Sequence, residues 1–177
     1  MDAKSENVPT LANNGTTMER KSERELVVTR TVNGPARIVF EAWTKAELLK
    51  QWWVPKSFGI SLLSCEADVR VGGQYRFVFG HGDSPPMEFF GRYLEVKPHS
   101  RLVWTNEEGE AGGPVTTVTF QEKAGKTLLV MHDLYPSKEA LDACMASGEK
   151  SCMGETFDQL DELLTQPTGG FESSSVA

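Results

Sequence analysis

The stretch EAWTKAELLKQWWVP, residues 41–55, holds three of the four tryptophans of the 177-residue chain. Its apolar residues recur with the spacing of an amphipathic helix, which we expect to include Trp52 and Trp53. Pro55 ends that helix, because the residue before a proline is driven out of the helical region. Just upstream, PARIVFEAWT predicts another short helix with Pro35 in its first turn.

The rest of the chain predicts one antiparallel sheet and a helical end. Residues 24–33 alternate between apolar and polar and are rich in β-branched side chains, which predicts a first strand. Six further apolar-alternating runs over residues 57–134 are joined by Gly-rich turns, as in an antiparallel meander. Residues 137–164 return to a helical pattern that Gly148 divides. The predicted fold class is therefore α+β.

Length and composition predict one domain with polar tails. Residues 1–22 and 166–177 lack apolar periodicity, so we expect both to be disordered. The single domain is expected to cover residues 23–165. Deletion of residues 1–17 should then leave the melting temperature nearly unchanged.

Charge and cysteine content exclude several classes of protein. The net charge of −7 and the absence of a basic run argue against binding to nucleic acid or to anionic membranes. No apolar stretch reaches the ~18–20 residues of a membrane helix. The N-terminal residues carry no apolar signal-peptide core. Cys65, Cys144 and Cys152 are too few and too widely spaced for a disulfide framework. We therefore expect a soluble, cytoplasmic protein.

Motifs for metal, cofactor or nucleophilic chemistry are missing from the sequence. His81, His99 and His132 have no second ligand at a spacing typical of a metal site, and we predict no metal and no cofactor. There is no G-x-S-x-G or G-x-G-x-x-G pattern. His132 lies in the apolar run LLVMHDL, where it is either a core histidine bonded to backbone or a group that orients a ligand or acts as an acid or base.

The remaining signal is aromatic. Large, soft side chains from several predicted strands and helices are expected to converge on the concave face of the sheet. Plain core packing explains any one of them, whereas the group indicates a cavity for a small hydrophobic molecule. The predicted ligand-binding residues are Trp43, Trp53, Tyr75, Phe77, Phe79, Met87, Phe89, Trp104, Met131, His132, Met153 and Phe157.

Four segments, VNGPARIVFEAWTKAELLKQWWVP, VGGQYRF, FGRYLEVKPHSRLVWT and GETFDQLDELL, resemble the SRPBCC or START-like superfamily over about residues 24–164. The branch they resemble most is named for the C-terminal domain of the heat-shock-protein ATPase activator (AHSA-type). The resemblance implies a helix-grip fold, a curved antiparallel sheet wrapped around a long C-terminal helix. It also implies that the two short helices close one end of the concavity, with Trp53 inside and Trp52 nearer the surface.

Three functions remain open at the level of sequence. The favoured one is a binding protein that holds a small hydrophobic ligand between the sheet and the C-terminal helix. The resemblance also implies a chaperone partner, as an activator of its ATPase, or an enzyme of the cyclase or hydrolase type. An enzyme needs two or more titratable groups in the cavity, and the sequence offers only His132 and Tyr75. A homodimer is also left open.

Overall fold

The computed structural model describes residues 15–107, 113–147 and 153–165. The first described elements are the strands β1 (Thr17–Arg20) and β2 (Glu25–Val32). They are followed by the helices α1 (Ala36–Thr44) and α2 (Ala46–Trp52). A short 3-10 turn, Lys56–Phe58, leads into the meander. The meander strands are β3 (Ser61–Ala67), β4 (Gln74–Gly80), β5 (Met87–Lys97), β6 (Arg101–Thr105), β7 (Val115–Lys123) and β8 (Lys126–Leu134). The described chain ends with α3 (Lys138–Ser147) and α4 (Met153–Leu164).

The strands form a single antiparallel sheet in the order β1-β2-β8-β7-β6-β5-β4-β3. The predicted α+β class, the six-strand meander and the helix-grip arrangement are confirmed. The sheet is curved and does not close into a barrel. Register shifts at Leu63 in β3 and at Leu94 in β5 interrupt the regular pairing. Such bulges increase the local bend of a sheet, and here both lie in its β3-to-β5 part.

One boundary prediction is wrong. Part of the expected disordered tail, residues 1–22, forms β1, which pairs with β2 from Thr17↔Thr29 to Arg20↔Leu26. The segment is mostly polar, and Met18 is the side chain of β1 that packs against the hydrophobic core. Thr16 is buried, and its hydroxyl accepts a 2.9 Å hydrogen bond from the Arg30 guanidinium. Residues 1–14 and 166–177 lie outside the described residues, so disorder there stays a prediction.

The helices α1 and α2 are amphipathic pieces that bury their apolar sides against the sheet and α4. α1 buries Val39, Phe40 and Trp43, and α2 buries Leu48, Leu49 and Trp52 in the same core cluster. Burial of each such side chain contributes about 1.5–3 kcal/mol.

The end of α2 is held by a side chain from α4. The buried Gln159 amide donates to the carbonyl oxygens of Trp52 at 3.0 Å and Val54 at 2.9 Å. Its own oxygen accepts from the backbone N–H of Lys56 at 2.9 Å. These groups would otherwise be unsatisfied at the helix terminus. The end of α2 at Trp52, shortly before Pro55, is therefore stabilised by α4 as well as by the proline.

The division of residues 137–164 into two helices is confirmed, although Gly148 itself lies outside the described residues. α4 packs against α1, α2 and β2. Its charged side is anchored by Arg30 of β2, which pairs with Asp158 and Asp161 at 2.9 Å each. Arg30 is 8% exposed in these pairs, so its charge needs both partners.

Candidate functional site

A cavity of about 60 Å³ lies between the two short helices and strands β4 to β6. Helices α1 and α2 and the turn after them form one wall, and the concave face of the sheet forms the other. The cavity is lined by Trp43, Leu49, Trp53, Tyr75, Phe77, Phe89, Tyr93, Trp104 and Asn106. Every one of these side chains is uncharged at neutral pH, and seven are aromatic. The arrangement suits an uncharged molecule with mostly apolar surface.

The structure brings together half of the predicted ligand-binding residues. Six of the twelve line the cavity, and these are Trp43, Trp53, Tyr75, Phe77, Phe89 and Trp104. The other six, Phe79, Met87, Met131, His132, Met153 and Phe157, do not. Whether any of the twelve binds a ligand stays a prediction.

The cavity lies in a different place from the one predicted. The cavity was expected between the sheet and the C-terminal helix, but no described residue of α4 lines it. Phe157 of α4 packs against Trp43 and Trp52, with ring centroids 6.3 and 6.4 Å away. The Trp43 ring therefore forms a wall between α4 and the cavity.

The two adjacent tryptophans have roles different from those expected. Trp52, expected nearer the surface, is completely buried, and its indole N–H donates to the Ala42 carbonyl at 3.0 Å. Trp53, expected inside, is only partly buried, although it does line the cavity and meets Phe77 edge-on at 5.9 Å. The expectation that Trp52 is the more exposed of the pair is wrong. Trp53 is the C-cap of α2 and keeps helical backbone angles, so its side chain projects about 100° round the helix axis from that of Trp52.

His132 lies on the opposite side of the sheet from the cavity. Burial alternates along β8, with Met131 and Asp133 buried and His132 half-exposed. The imidazole Nε2 lies 3.0 Å from a carboxylate oxygen of Glu25. This bond lowers the pKa of Glu25 below its ordinary value. His132 is thus not a buried core histidine, and that interpretation is wrong. It does not line this cavity, and a role in ligand binding stays a prediction.

The mouth of the cavity lies on β5. Phe89 lines the cavity and is 36% exposed, while its strand neighbour on the same face, Met87, is 46% exposed. Phe79 supports Phe89 from β4, with ring centroids 5.0 Å apart. Met87 and Phe79 therefore belong to the surroundings of the mouth, outside the lining.

A polar chain runs from the cavity into the sheet. The Tyr75 hydroxyl donates to the Thr105 carbonyl at 2.7 Å and lies 3.2 Å from the side-chain oxygen of Asn106. The Asn106 amide donates to the Thr116 hydroxyl at 3.0 Å, and that hydroxyl donates to Asp133 at 2.6 Å. Asp133 is only 2% exposed. The polar groups that reach the cavity are thus held in place by bonds within the protein.

Titratable groups near the cavity are held neutral. Burial raises the pKa of the Tyr93 hydroxyl above its ordinary value, with a smaller contribution from Cys65. Burial likewise raises the pKa of the Cys65 thiol to about 11. A thiol with that pKa is almost wholly protonated at pH 7 and is a poor nucleophile. Within the described ranges, no group of three or more His, Cys, Asp or Glu could hold a metal ion.

The model of a family described as "Activator of Hsp90 ATPase homolog 1-like protein" matches residues 33–165. The chain belongs to this family. The resemblance to the AHSA-type branch is thereby confirmed. A comparison with curated protein sequences finds no significant match. None of the described helices is long and apolar enough to cross a membrane.

Solved structures share the fold of this AHSA1-like chain. A crystal structure of a Nitrosomonas europaea protein has a TM-score of 0.74 at 26% identity, covering 82% of this chain and 97% of that one. A Rhodobacter sphaeroides protein has a TM-score of 0.79 at 24% identity, covering 86% and 99%. A Mycobacterium smegmatis protein has a TM-score of 0.71 at 19% identity, covering 82% and 93%.

Three lining residues of this AHSA1-like protein were missed from the sequence. Leu49 could have been found, because it lies four residues before Trp53. Tyr93 lies two residues after Gly91 and therefore shares a strand face with Phe89, which period-2 counting across the glycine would have shown. Asn106 follows the end of β6, and no sequence pattern marks it.

Proposed function

We propose that this AHSA1-like protein binds a small, uncharged, mostly apolar molecule in the cavity between the α1–α2 pair and strands β4 to β6. The observation that supports this most directly is the lining, in which aromatic rings from four elements surround a space and no side chain is charged. A half-exposed ring, Phe89, at the mouth offers an entrance.

The size of the cavity limits the ligand. About 60 Å³ exceeds the space for one water, but a cavity of about 150 Å³ is known to hold benzene. A ligand of that size therefore requires Phe89 and Trp53, the partly exposed members of the lining, to move outward. Each 100 Å² of apolar ligand surface removed from water is worth about 2.5 kcal/mol. Small hydrocarbons should accordingly bind with a Kd of roughly 0.1–1 mM.

The test is a titration of isotopically labelled protein with toluene, read from the indole N–H resonances of the tryptophans. We expect saturable shifts for Trp43, Trp53 and Trp104. Phe89→Ala should change the Kd about threefold or more, because it alters the wall that has to move to admit toluene. Phe90→Ala is the matched control, since Phe90 has the same side chain and 38% exposure but points to the other face of β5.

The proposal fails if toluene produces no saturable shift, or if both phenylalanine variants change the Kd equally. The first result would identify the cavity as a packing defect. The second would show that the effect of Phe89 on the Kd does not depend on its place in the cavity wall.

The family description supports a second candidate, stimulation of a chaperone ATPase. Leu63, Phe90 and Leu94 of the β3-to-β5 part are each more than a third exposed and could contact a protein partner. Adding the purified chain to purified Hsp90 and measuring ATP hydrolysis tests this directly. Stimulation that Leu94→Ser abolishes would favour the candidate, and unchanged hydrolysis at saturating chain would dismiss it.

A further inference from the structure

One buried donor in the cavity wall lacks a partner. Trp43 is 3% exposed, and its indole Nε1 has no hydrogen-bond partner among residues 15–107, 113–147 and 153–165. The indole nitrogen can only donate, so no other arrangement of this group satisfies it. Buried donors of this kind are rare and are usually paired with protein, water or ligand. The neighbouring Trp52 indole shows the usual situation, since it donates to a backbone carbonyl.

Two other polar side chains of the lining, Tyr75 and Asn106, form their hydrogen bonds within the protein. The Tyr75 hydroxyl donates to Thr105, and the Asn106 amide donates to Pro114 at 2.7 Å and to Thr116 at 3.0 Å. Within the described part of the chain, Trp43 is thus the fully buried side-chain donor of the lining that is left unpaired.

We infer that the ligand of this cavity carries one uncharged acceptor oxygen, of the ketone, ether or ester class, that accepts a hydrogen bond from Trp43 Nε1. This inference rests on the proposed function and narrows it. A carboxylate or phosphate is disfavoured, because the lining offers no positive charge to offset the loss of hydration. A pure hydrocarbon would fill the space and leave the indole N–H unsatisfied.

The experiment uses two probes of nearly the same shape, cyclohexanone and methylenecyclohexane, which differ in an oxygen replaced by a methylene. Their Kd values are measured by NMR titration with the wild type, Trp43→Phe and Trp53→Phe. The hydrocarbon gains more from leaving water, so the informative quantity is the ratio of the ketone Kd to the hydrocarbon Kd in each protein. Trp53→Phe is the matched control, because Trp53 lines the same cavity but is only partly buried.

We expect Trp43→Phe to raise that ratio about five- to tenfold, as for the loss of one neutral hydrogen bond. Trp53→Phe should change both Kd values together and leave the ratio unchanged. The wild type supplies a reading that does not depend on any variant folding. There the Trp43 indole proton should move downfield with cyclohexanone but not with methylenecyclohexane. The Trp52 indole, already bonded to Ala42, should move little with either probe.

The outcomes separate this inference from the proposal on which it rests. If both probes bind but the ratio is the same in all three proteins, or the Trp43 proton ignores the ketone, the acceptor inference is overturned while ligand binding stands. If neither probe binds, both are overturned. A Trp43 proton that responds to the ketone, together with a ratio that rises in Trp43→Phe alone, supports the inference.

Discussion

Replacing Gln159 with methionine tests whether α4 sets the end of α2. The Gln159 amide makes three hydrogen bonds to the backbone of Trp52, Val54 and Lys56, of which the one to Trp52 is buried and the other two are partly buried. Methionine has nearly the same volume, so the change removes the bonds without a large cavity. At about 1 kcal/mol for each net hydrogen bond, we expect the free energy of unfolding to fall by about 3 kcal/mol. In a domain of this size that corresponds to a drop in Tm of about 6–12 °C.

Urea unfolding, followed by tryptophan emission, measures the change from the shift in midpoint at constant slope. Gln51→Met is the matched control, because Gln51 is exposed on α2 and donates a single 3.3 Å bond to the Glu47 carbonyl. It should cost less than about 0.5 kcal/mol. The reasoning is refuted if Gln159→Met also stays within about 0.5 kcal/mol of the wild type, or if the two variants lose equal stability.

Three other changes probe different parts of the fold. In Gly91→Ala the new Cβ would lie 2.0 Å from a carbonyl oxygen of β6, so we expect the free energy of unfolding in urea to fall by about 3 kcal/mol. Gly34→Ala is the control and should be tolerated, because its Cβ would meet nothing closer than 3.6 Å. Hydrogen bonds from Ser57 lower the pKa of Glu155, so its stabilising effect is present at neutral pH and is lost as pH falls through that lowered pKa. The Tm difference between wild type and Glu155→Gln should therefore shrink as pH falls below the ordinary glutamate pKa of about 4.3, and a difference that stays constant through acid pH would contradict this. Thr16→Val leaves the buried arginine of β2 without one partner and should cost about 1.5–3 kcal/mol, so an unchanged urea midpoint would indicate that the N-terminal segment is not docked.

Alternation and helical spacing were sufficient to predict the six-strand meander, the short helices and the split C-terminal helix. They failed where both faces of an element carry similar residues. β8 is apolar in both phases, and ordinary hydrophobicity would place His132 inside and Asp133 outside. The opposite holds, because Thr116 of β7 donates to the buried Asp133 carboxylate. A hydrogen-bond partner on another strand thus determines which face of β8 is buried, and the local sequence of β8 does not reveal that partner.

The tryptophan pair shows a second limit. Trp52 lies four residues after Leu48, and Trp53 lies four after Leu49, so helical spacing supports either as the buried residue. Contacts with α4 distinguish the two, because Phe157 packs against the Trp52 ring and Gln159 binds the Trp52 carbonyl, both from more than 100 residues along the chain. Six of the nine lining residues were nevertheless predicted from the sequence, whereas no local pattern indicates Asn106.

The pairing of β2 with β8 has a consequence for how the chain folds during its synthesis. β2 is among the first elements to leave the ribosome, yet its partner in the register Glu25↔Leu134 is made about 100 residues later. At 5–20 residues per second, one edge of β2 waits about 5–20 s for β8. The strands from β3 onward pair with their immediate successors as they emerge and need no such delay. β1 is made just before β2 and pairs with the other edge of β2. During this interval only one edge of β2 is therefore exposed to other chains.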